Sequence, residues 1–337
     1  MPFHKGHEYL IDFSKNFMSS LDKQGIVTVL VCYQDEEPIP GKERYKWLNE
    51  HYKKDAHVKI MPFWNMLPNY PEDDVNFWDK WKYALECTIS NLKEDSNQEV
   101  KYLFASESYG KKLAEVLGLE FIPVERDTIN ISGTEIRNNP YKHWEYLTPE
   151  AKRFYTHGIC ITGPESVGKT TLVKNLTNIF STVSTPVPEY GRVYMEKKEM
   201  KTWNTNDIKN IMRGHYNLMN MAFNRGTPLV ISDTDLFVTK LYAEMVGKSP
   251  QGLNQLIQET KNLFSHYLVL TPEVDWFEDS IRTKEMMADR ELFFDKIIRH
   301  MKQNKYSYTV ISGKNYTQRT EDAILDVNNF ILNKGIH

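Results

Sequence analysis

One stretch of the sequence has the residue types and the spacing of a phosphate-binding loop. It includes Gly163, Gly168, Lys169 and Thr170, and the apolar run before it (159–162) is typical of a buried strand. The run after it is typical of a helix. Successive backbone N–H groups in such a turn form a cradle for phosphate oxygens, Lys169 reaches the β- and γ-phosphates, and the Thr170 hydroxyl ligates Mg²⁺. The predicted nucleotide-binding residues are Gly163, Ser166, Gly168, Lys169, Thr170 and Thr171.

Two acidic residues, Asp233 and Asp235, follow a second apolar run at 228–232. In phosphate-loop enzymes an acid at such a strand end holds Mg²⁺, directly or through water. We expect Asp233 to act with Thr170 at the metal, and Asp235 or Glu189 to orient or deprotonate the acceptor hydroxyl. The sequence leaves open which carboxylate is the base. An equally simple interpretation is that one of the two aspartates caps the following helix.

Aromatic and cationic residues near these acids are candidates for binding the acceptor and the transferring phosphoryl group. Tyr190 follows Glu189 at a predicted loop-to-helix junction, and Tyr190 and Trp276 could stack on a planar cationic ring, with Glu189 as a further substrate contact. Arg282 and Arg290 lie beyond Trp276 and resemble the lid cations of small-molecule kinases. The alternatives are core aromatics and solvated surface arginines.

Two further motifs lie in the first half of the chain, far from the phosphate-binding loop. His4 and His7 flank Gly6 before a helical pattern, so both imidazoles can face a phosphate and stabilise charge on it. Ser132 and Thr134 offer hydroxyl groups at another predicted helix start. The guanidinium of Arg137 can clamp a phosphate. The alternative for the second motif is an ordinary helix cap with a surface arginine.

Strand-like and helical patterns alternate along the whole chain, which predicts an α/β fold with parallel sheets and crossover helices. The length of 337 residues and a break near residue 150 predict two domains, over residues 1–152 and 153–337. The candidate strands are 26–31, 58–61, 100–104, 159–162, 228–232, 267–270 and 308–311.

Composition and charge argue against a nucleic-acid-binding, a disulfide-bonded or a membrane-spanning protein. The net charge is −3, from 42 basic and 45 acidic residues, which argues against a general nucleic-acid-binding surface. The three cysteines lack metal-ligand spacing and favour free thiols in a reducing compartment. No apolar stretch reaches membrane-spanning length. These features predict a cytoplasmic protein with small-molecule partners. The oligomeric state stays open, with a homo-oligomer among the options.

The two motifs of the first half resemble the H-x-G-H and I-S-x-T-x-x-R signatures of the nucleotidyltransferase superfamily. An adenylyltransferase-like half followed by a phosphate-loop kinase half is similar to the bifunctional nicotinamide-nucleotide adenylyltransferase/ribosylnicotinamide kinase family. This resemblance covers nearly the whole chain. The segments that carry it are 37–48, 68–71, 131–137, 139–147, 189–192, 233–235 and 275–276.

The resemblance implies two reactions in the salvage of NAD. The second half would phosphorylate ribosylnicotinamide with ATP and Mg²⁺ to give nicotinamide mononucleotide. The first half would transfer the adenylyl group of a second ATP to that mononucleotide, giving NAD and pyrophosphate. The implied partners are therefore ribosylnicotinamide, nicotinamide mononucleotide and ATP, without nucleic acid or membrane.

The sequence departs from this family at its start. Longer members carry an N-terminal helix-turn-helix domain and act as repressors, whereas this chain begins at the adenylyltransferase motif. The family's H-x-G-H follows a buried strand and a glycine turn, and only Met1, Pro2 and Phe3 precede His4 here. We therefore expect the first strand to be missing and adenylyl transfer to be weak beside kinase activity. Supplying an apolar strand and a glycine before His4 should restore it.

Two other functions remain open at this point. The second half could be a kinase for a different nucleoside-like or pantetheine-like acceptor. Alternatively, the chain could be a binding protein that senses NAD or ATP. A sensor would bind nucleotide without releasing ADP in the presence of any nucleoside, so turnover separates these hypotheses.

Overall fold

The computed structural model describes residues 1–21, 25–35, 37–96, 99–200, 202–275 and 289–336. The chain divides into two compact units, Met1–Ala151 and Lys152–His337. Every strand pair in both units is parallel. The predicted α/β class is therefore confirmed.

The first unit alternates helices and short strands, as the sequence pattern predicted. Its strands are β1 (Val27–Tyr33), β2 (Val58–Trp64), β3 (Tyr102–Ala105) and β4 (Glu120–Pro123). Its helices are α1 (Lys5–Ser19), α2 (Gly41–Tyr52), α3 (Phe77–Ser96), α4 (Tyr109–Leu117), α5 (Gly133–Asn138) and α6 (Pro149–Tyr155), the last of which runs into the second unit.

The strands of the first unit form two separate two-stranded sheets, β1–β2 and β3–β4. Helix α1 packs against strands of both pairs, and the ring of Phe17 contacts the rings of Tyr102 and Phe104 at centroid distances of 5.4 and 5.5 Å. Within the described residues, β1 and β3 are each hydrogen-bonded to one strand only. Most of their apolar side chains, such as Leu30 and Leu103, are only half-buried. Each of these two strands therefore has one edge without a strand partner among the described residues.

The second unit is built on one five-stranded sheet in the order β6-β7-β5-β8-β9. Its strands are β5 (His157–Thr162), β6 (Ser184–Val187), β7 (Leu229–Asp233), β8 (Phe264–Leu270) and β9 (Tyr308–Ile311). Its helices are α7 (Lys169–Ile179), α8 (Tyr190–Lys197), α9 (Thr205–Phe223), α10 (Leu236–Met245), α11 (Asn254–Leu263), α12 (Arg290–Gln303) and α13 (Tyr316–Lys334).

Strand β5 lies at the centre of this sheet, and its apolar residues are fully buried because helices cover both faces. In β7 all five residues are buried, including the polar pair Ser232 and Asp233. Ile161 of β5 lies opposite Asp233 of β7, so the acid is held beside the strand that leads into the phosphate-binding loop. Ligands of open parallel sheets bind at this carboxyl edge. Among the described helices, none is long and apolar enough to cross a membrane.

Candidate active site

The loop between β5 and α7 has a backbone that its glycines make possible. Gly163 has φ +144°, and a Cβ there would lie 2.6 Å from the carbonyl oxygen of Leu270. Gly168 caps α7 with φ +88° in the left-handed region, which a side chain would strain. Ser166 also adopts a left-handed conformation, with φ +57°. These turns direct the chain into the N-terminus of α7, where N–H groups are available to phosphate oxygens.

Lys169 is the first residue of α7 and is 6% exposed. Its Nζ donates a hydrogen bond to the carbonyl oxygen of Pro164 across the loop, at 2.8 Å. A charged amine held over its own loop is placed to exchange this bond for a phosphate oxygen. Thr171, two residues further along the helix, is by contrast exposed to solvent.

Asp233 and Thr170 meet at the carboxyl edge of the sheet. The Thr170 hydroxyl donates to Oδ2 of Asp233 at 2.5 Å, and Asp233 is fully buried. Oδ1 of Asp233 has no hydrogen-bond partner among the described residues. Burial raises the pKa of the Asp233 carboxyl, whereas the nearby Lys169 ammonium opposes that rise. A buried carboxylate oxygen without a partner beside a hydroxyl is a donor set that suits Mg²⁺. The predicted metal residues therefore fit the ion.

The structure places Asp235 elsewhere than the sequence predicted. Asp235 is the N-cap of α10, where Oδ1 accepts from the N–H of Val238 at 3.3 Å. Its other oxygen accepts from the hydroxyl of Tyr267 at 2.8 Å. Burial raises the pKa of this carboxyl to about 7. Both oxygens are engaged in holding α10 against β8, which is the capping alternative, so the geometry disfavours a catalytic role for Asp235.

Glu189, unlike Asp235, lines the cavity beside the phosphate-binding loop. It is the N-cap of α8 but makes no capping hydrogen bond, so its carboxylate is left for the cavity that it lines with Glu165 and Lys169. Burial, followed by the charges of Glu165 and Asp233, raises the pKa of Glu189 to about 7. A carboxyl with such a pKa is well matched to general-base catalysis near neutral pH.

A cavity of ≈ 110 Å³ opens from the loop. Its lining combines charged residues of the loop and α8 with apolar and aromatic residues of α9, α10 and their surroundings. The rings of Trp203 and Tyr242 lie 5.6 Å apart at 44°, and the Lys248 ammonium sits 4.4 Å from the Trp203 ring centroid. The residues that line the cavity include Gly163, Glu165, Lys169, Glu189, Arg192, Met195, Trp203, Ile208, Ile211, His215, Tyr242 and Phe293.

Sequence reasoning missed Trp203, His215 and Tyr242. Trp203 lies just before α9. His215 and Tyr242 lie on α9 and α10, where each fits the apolar stripe of an ordinary amphipathic helix. The one local signal was that His215 and Tyr242 are polar residues at core-facing positions. Their helices, α9 and α10, follow the segments that carry Glu189 and Asp233. Only the fold shows that these positions converge on the loop.

Tyr190 does not line this cavity. Its ring packs on Gly214 of α9, where an added Cβ would come within 2.0 Å of it, and it contacts Tyr194 at 6.1 Å. The predicted stacking partner is therefore a packing residue between α8 and α9, and its neighbours Glu189, Gly191 and Arg192 face the cavity instead. Trp276 and Arg282 lie outside the described residues.

Two arginines are buried near the loop. Arg290 begins α12, is 8% exposed and donates to the carbonyl oxygen of Val274 at 3.1 Å, unlike the mobile surface cation predicted. Arg319 of α13 donates to the carbonyl oxygen of Val167 in the loop at 3.1 Å. It also donates to the carbonyl oxygen of Thr271 at 2.5 Å, beyond the end of β8. Arg319 therefore holds the phosphate-binding loop to the segment that follows β8.

In the first unit, His4 and His7 lie together at the start of α1. Nδ1 of His4 accepts from the N–H of Gly6 at 3.0 Å, and the two imidazole rings are 4.0 Å apart. Burial lowers the pKa of His4 to about 4 and holds that of His7 well below its ordinary value. Nδ1 of His7 is buried without a partner among the described residues. Both rings are therefore neutral hydrogen-bonding groups at neutral pH.

The second motif of this unit lies beside the first. Ser132 caps α5 in a reciprocal capping box with Glu135. Arg137 reaches the Thr134 hydroxyl at 3.5 Å and the sulfur of Met1 at 3.8 Å. Because Met1 precedes His4 closely, these contacts bring the starts of α1 and α5 together. The structure thus assembles the two predicted motifs from opposite ends of the unit, although Ser132 uses its hydroxyl in the cap.

Comparisons with known proteins agree with this architecture. A family model described as an AAA domain matches residues 158–319. The chain is 27% identical over 340 residues to the trifunctional NAD biosynthesis/regulator protein NadR of Salmonella typhimurium, covering 94% of this chain and 78% of that protein. It is also 27% identical to the Escherichia coli protein of the same name, with the same coverage.

Two crystal structures extend the similarity to the fold. A NadR protein in complex with NR has a TM-score of 0.75 and 23% identity, covering 98% of this chain and 93% of that chain. A NadR protein in complex with NAD and AMP-PNP has a TM-score of 0.75 and 22% identity, covering 100% and 94%. The resemblance predicted from the motifs is confirmed, and by sequence and fold the chain is a relative of the NadR proteins across both of its units.

Proposed function

We propose that the second unit is an ATP-dependent ribosylnicotinamide kinase and that the first unit adenylylates its product to give NAD. One observation carries the kinase assignment: a complete phosphate-binding loop borders a cavity that is lined by both carboxylates and aromatic rings. That combination of groups suits an acceptor that carries both a hydroxyl group and a planar ring. The names of the NadR relatives refer to NAD biosynthesis, which supports a role in making NAD.

In the kinase reaction, the loop and Lys169 hold the triphosphate of ATP. Glu189 takes the proton from the primary hydroxyl of ribosylnicotinamide while that oxygen bonds to the γ-phosphorus. The bond from the γ-phosphorus to the bridging oxygen breaks at the same time, and ADP leaves with that oxygen. The work of the protein is mainly to position the two reactants and to neutralise charge on the transferring group.

Thr170 and Asp233 would hold Mg²⁺ at this site. When bound, the ion supplies positive charge to the phosphate oxygens of ATP. Asp233 suits this role because it is fully buried next to the loop and keeps one oxygen without a partner among the described residues.

The aromatic and acidic lining of the cavity supports a pyridinium acceptor. An aromatic ring such as that of Tyr242 attracts a cationic ring by about 0.5–2 kcal/mol per favourable contact, whereas the Trp203 ring already has the Lys248 ammonium 4.4 Å from its centroid. Glu165 and Glu189 add negative charge to the same cavity. A neutral pyrimidine or purine nucleoside lacks the charge that this arrangement attracts.

The first unit supports adenylyl transfer through its two assembled motifs. His4 and His7 are neutral donors in one buried cluster, and Arg137 lies close by through its contact with Met1. Hydrogen-bond donors fixed against an α-phosphate stabilise the charge that develops when the mononucleotide phosphate displaces pyrophosphate. Both reactions use ATP with Mg²⁺, and we place the enzyme in the cytoplasm, where these substrates occur.

A side-by-side assay of acceptors tests the kinase assignment. ADP release is measured with ribosylnicotinamide, uridine, cytidine and adenosine at equal concentrations and with saturating ATP and Mg²⁺. Ribosylnicotinamide should have the highest kcat/KM. Faster turnover of a standard nucleoside would assign the unit to another kinase class. Nucleotide binding without ADP release for any acceptor would assign it to a sensor.

A further inference from the structure

Two side chains that line the kinase cavity carry buried polar atoms without a hydrogen-bond partner among the described residues. His215 of α9 is 1% exposed and lines the cavity, and its Nε2 has no hydrogen-bond partner among the described residues. The hydroxyl of Tyr242 on α10 is buried and is likewise without a partner there. Both side chains belong to the wall that carries Trp203. Buried polar atoms are ordinarily hydrogen-bonded, so two such atoms in one cavity indicate a ligand that supplies the partners.

The surroundings of this pair select for an uncharged group. Burial alone lowers the pKa of His215 to about 3, so the ring is neutral at physiological pH and offers one N–H donor and one acceptor. Burial and the charges of Glu165 and Glu189 raise the pKa of Tyr242 above its ordinary value. The hydroxyl is therefore neutral and lies within the negative field of these carboxylates, which disfavours an anion.

A carboxamide matches these groups and a carboxylate does not. The amide has one carbonyl acceptor and two N–H donors, which complement a neutral imidazole and a phenol hydroxyl that can each donate or accept. A carboxylate only accepts, and it brings a negative charge close to Glu165 and Glu189, which already act on Tyr242. The cation nearest Trp203, Lys248, is engaged by the Trp203 carbonyl oxygen. Burying such a charge without a partner is strongly unfavourable.

We propose that His215 and Tyr242 bind the carboxamide of the pyridinium nucleoside and make the kinase select ribosylnicotinamide against its carboxylate analogue, nicotinic acid riboside. This inference rests on the proposed kinase function. It assigns the two residues to substrate specificity and leaves phosphoryl transfer to the loop residues and Glu189. Their removal should therefore change KM far more than kcat.

The test compares the two nucleosides as acceptors for the full chain and for three variants. The wild type should favour ribosylnicotinamide by roughly 100-fold or more in kcat/KM, since a site built for a hydrogen-bonded group rejects its mismatched analogue. Tyr242→Phe and His215→Leu should each raise KM for ribosylnicotinamide by about 10-fold or more and reduce the selectivity. Tyr216→Phe is the matched control, because its hydroxyl donates to Glu259 and Tyr216 does not line the cavity.

A conservative variant and a pH series complete the experiment. His215→Gln restores a neutral donor and acceptor and should recover part of the KM, and the selectivity should stay constant between about pH 6 and about pH 8 because His215 does not titrate there. Equal kcat/KM for both nucleosides, or unchanged selectivity in Tyr242→Phe, would overturn the inference. The Tyr242→Phe result stands even if His215→Leu fails to fold. Turnover of neither nucleoside would instead contradict the kinase proposal itself.

Discussion

We assign the handling of phosphate to three side chains at the carboxyl edge of one sheet, Lys169, Thr170 and Asp233. Lys169 is held over the loop by its bond to the Pro164 carbonyl oxygen, and Thr170 is bonded to Asp233. These bonds fix the side chains before a nucleotide binds. Preorganised groups of this kind are a main source of catalysis in phosphoryl transfer.

Replacing the loop lysine tests this division. Lys169→Ala should lower the rate of ADP release by about 100-fold or more, because it removes a preorganised positive charge at the transferring group. NAD formation from nicotinamide mononucleotide should be almost unchanged, because that reaction is assigned to the other unit. Lys174→Ala is the control, since Lys174 is an exposed lysine of the same helix. Kinase turnover within a few-fold of wild type would contradict the assignment of the loop.

Asp233 at the end of β7 and Asp235 just after it provide a matched pair of variants. Asp233→Asn should lower kinase turnover by about 100-fold or more, since it weakens the metal site. Asp235→Asn should leave turnover within a few-fold, because the asparagine carbonyl oxygen can still accept from the Val238 N–H and its amide N–H can donate to the Tyr267 oxygen. Steady-state ADP release at saturating Mg²⁺ measures both. An equal loss in the two variants would return Asp235 to the catalytic role that the sequence suggested.

Glu189 predicts the pH dependence of the kinase. Its raised pKa of about 7 means that the carboxylate, the form able to accept a proton, becomes populated as the pH rises through about 7. The kcat/KM for the acceptor should therefore increase with pH through that range and then level off. The groups that face Glu189 are Glu165 and Asp233, which raise its pKa, and Lys169 and Arg192, which lower it.

The measurement is a pH series of kcat/KM between about pH 5.5 and about pH 8.5, with Glu189→Gln as the comparison. The variant should be slower by about 100-fold and should lack the rise near neutrality. A wild-type profile that is flat across this range would exclude Glu189 as the base.

At the scale of elements, the described strands of the second unit form one sheet, whereas those of the first unit form two separate sheets. Strands β5 and β7 each have hydrogen-bonded neighbours on both sides, whereas β1 and β3 each have one in the described residues. Strand amides without a partner open to solvent more readily than those in a ladder. The element that holds His4 and His7 therefore rests on a less supported sheet than the phosphate-binding loop does.

Hydrogen exchange should reveal this difference between strands. Amides of β1 and β3 should exchange faster than those of β5 and β7, and as fast as those of β2 and β4, which also have one strand partner each. Exchange followed by mass spectrometry on the full chain without nucleotide gives the comparison. Protection of β1 and β3 equal to that of β5 would mean that the first unit has a continuous sheet.

The sequence was sufficient for those features that depend on local spacing. The phosphate-binding loop and the alternation of strands and helices were predicted because glycine spacing and apolar runs act over a few residues. Asp235 and Tyr190 were misjudged because their neighbours Val238, Tyr267 and Gly214 are brought to them only by tertiary packing. His215 and Tyr242 could not be predicted, since a core-facing polar residue on a helix is indistinguishable in sequence from a satisfied one.

At the scale of the whole molecule, we assign successive reactions to the two units. The kinase product is the mononucleotide that the first unit would adenylylate, so ribosylnicotinamide and two molecules of ATP would give NAD. In this proposal each step has its own phosphate-handling residues, Lys169 with Asp233 in one unit and His4 with His7 in the other. We therefore expect that a substitution can remove one step without the other.

The most direct test follows the products made from ribosylnicotinamide and ATP by chromatography, in the wild type and in the variants Lys169→Ala and His7→Ala. The wild type should form nicotinamide mononucleotide first, with NAD accumulating more slowly. His7→Ala should stop at the mononucleotide, and Lys169→Ala should form neither product from ribosylnicotinamide. NAD formed by Lys169→Ala at the wild-type rate, or no mononucleotide from the wild type, would contradict the account.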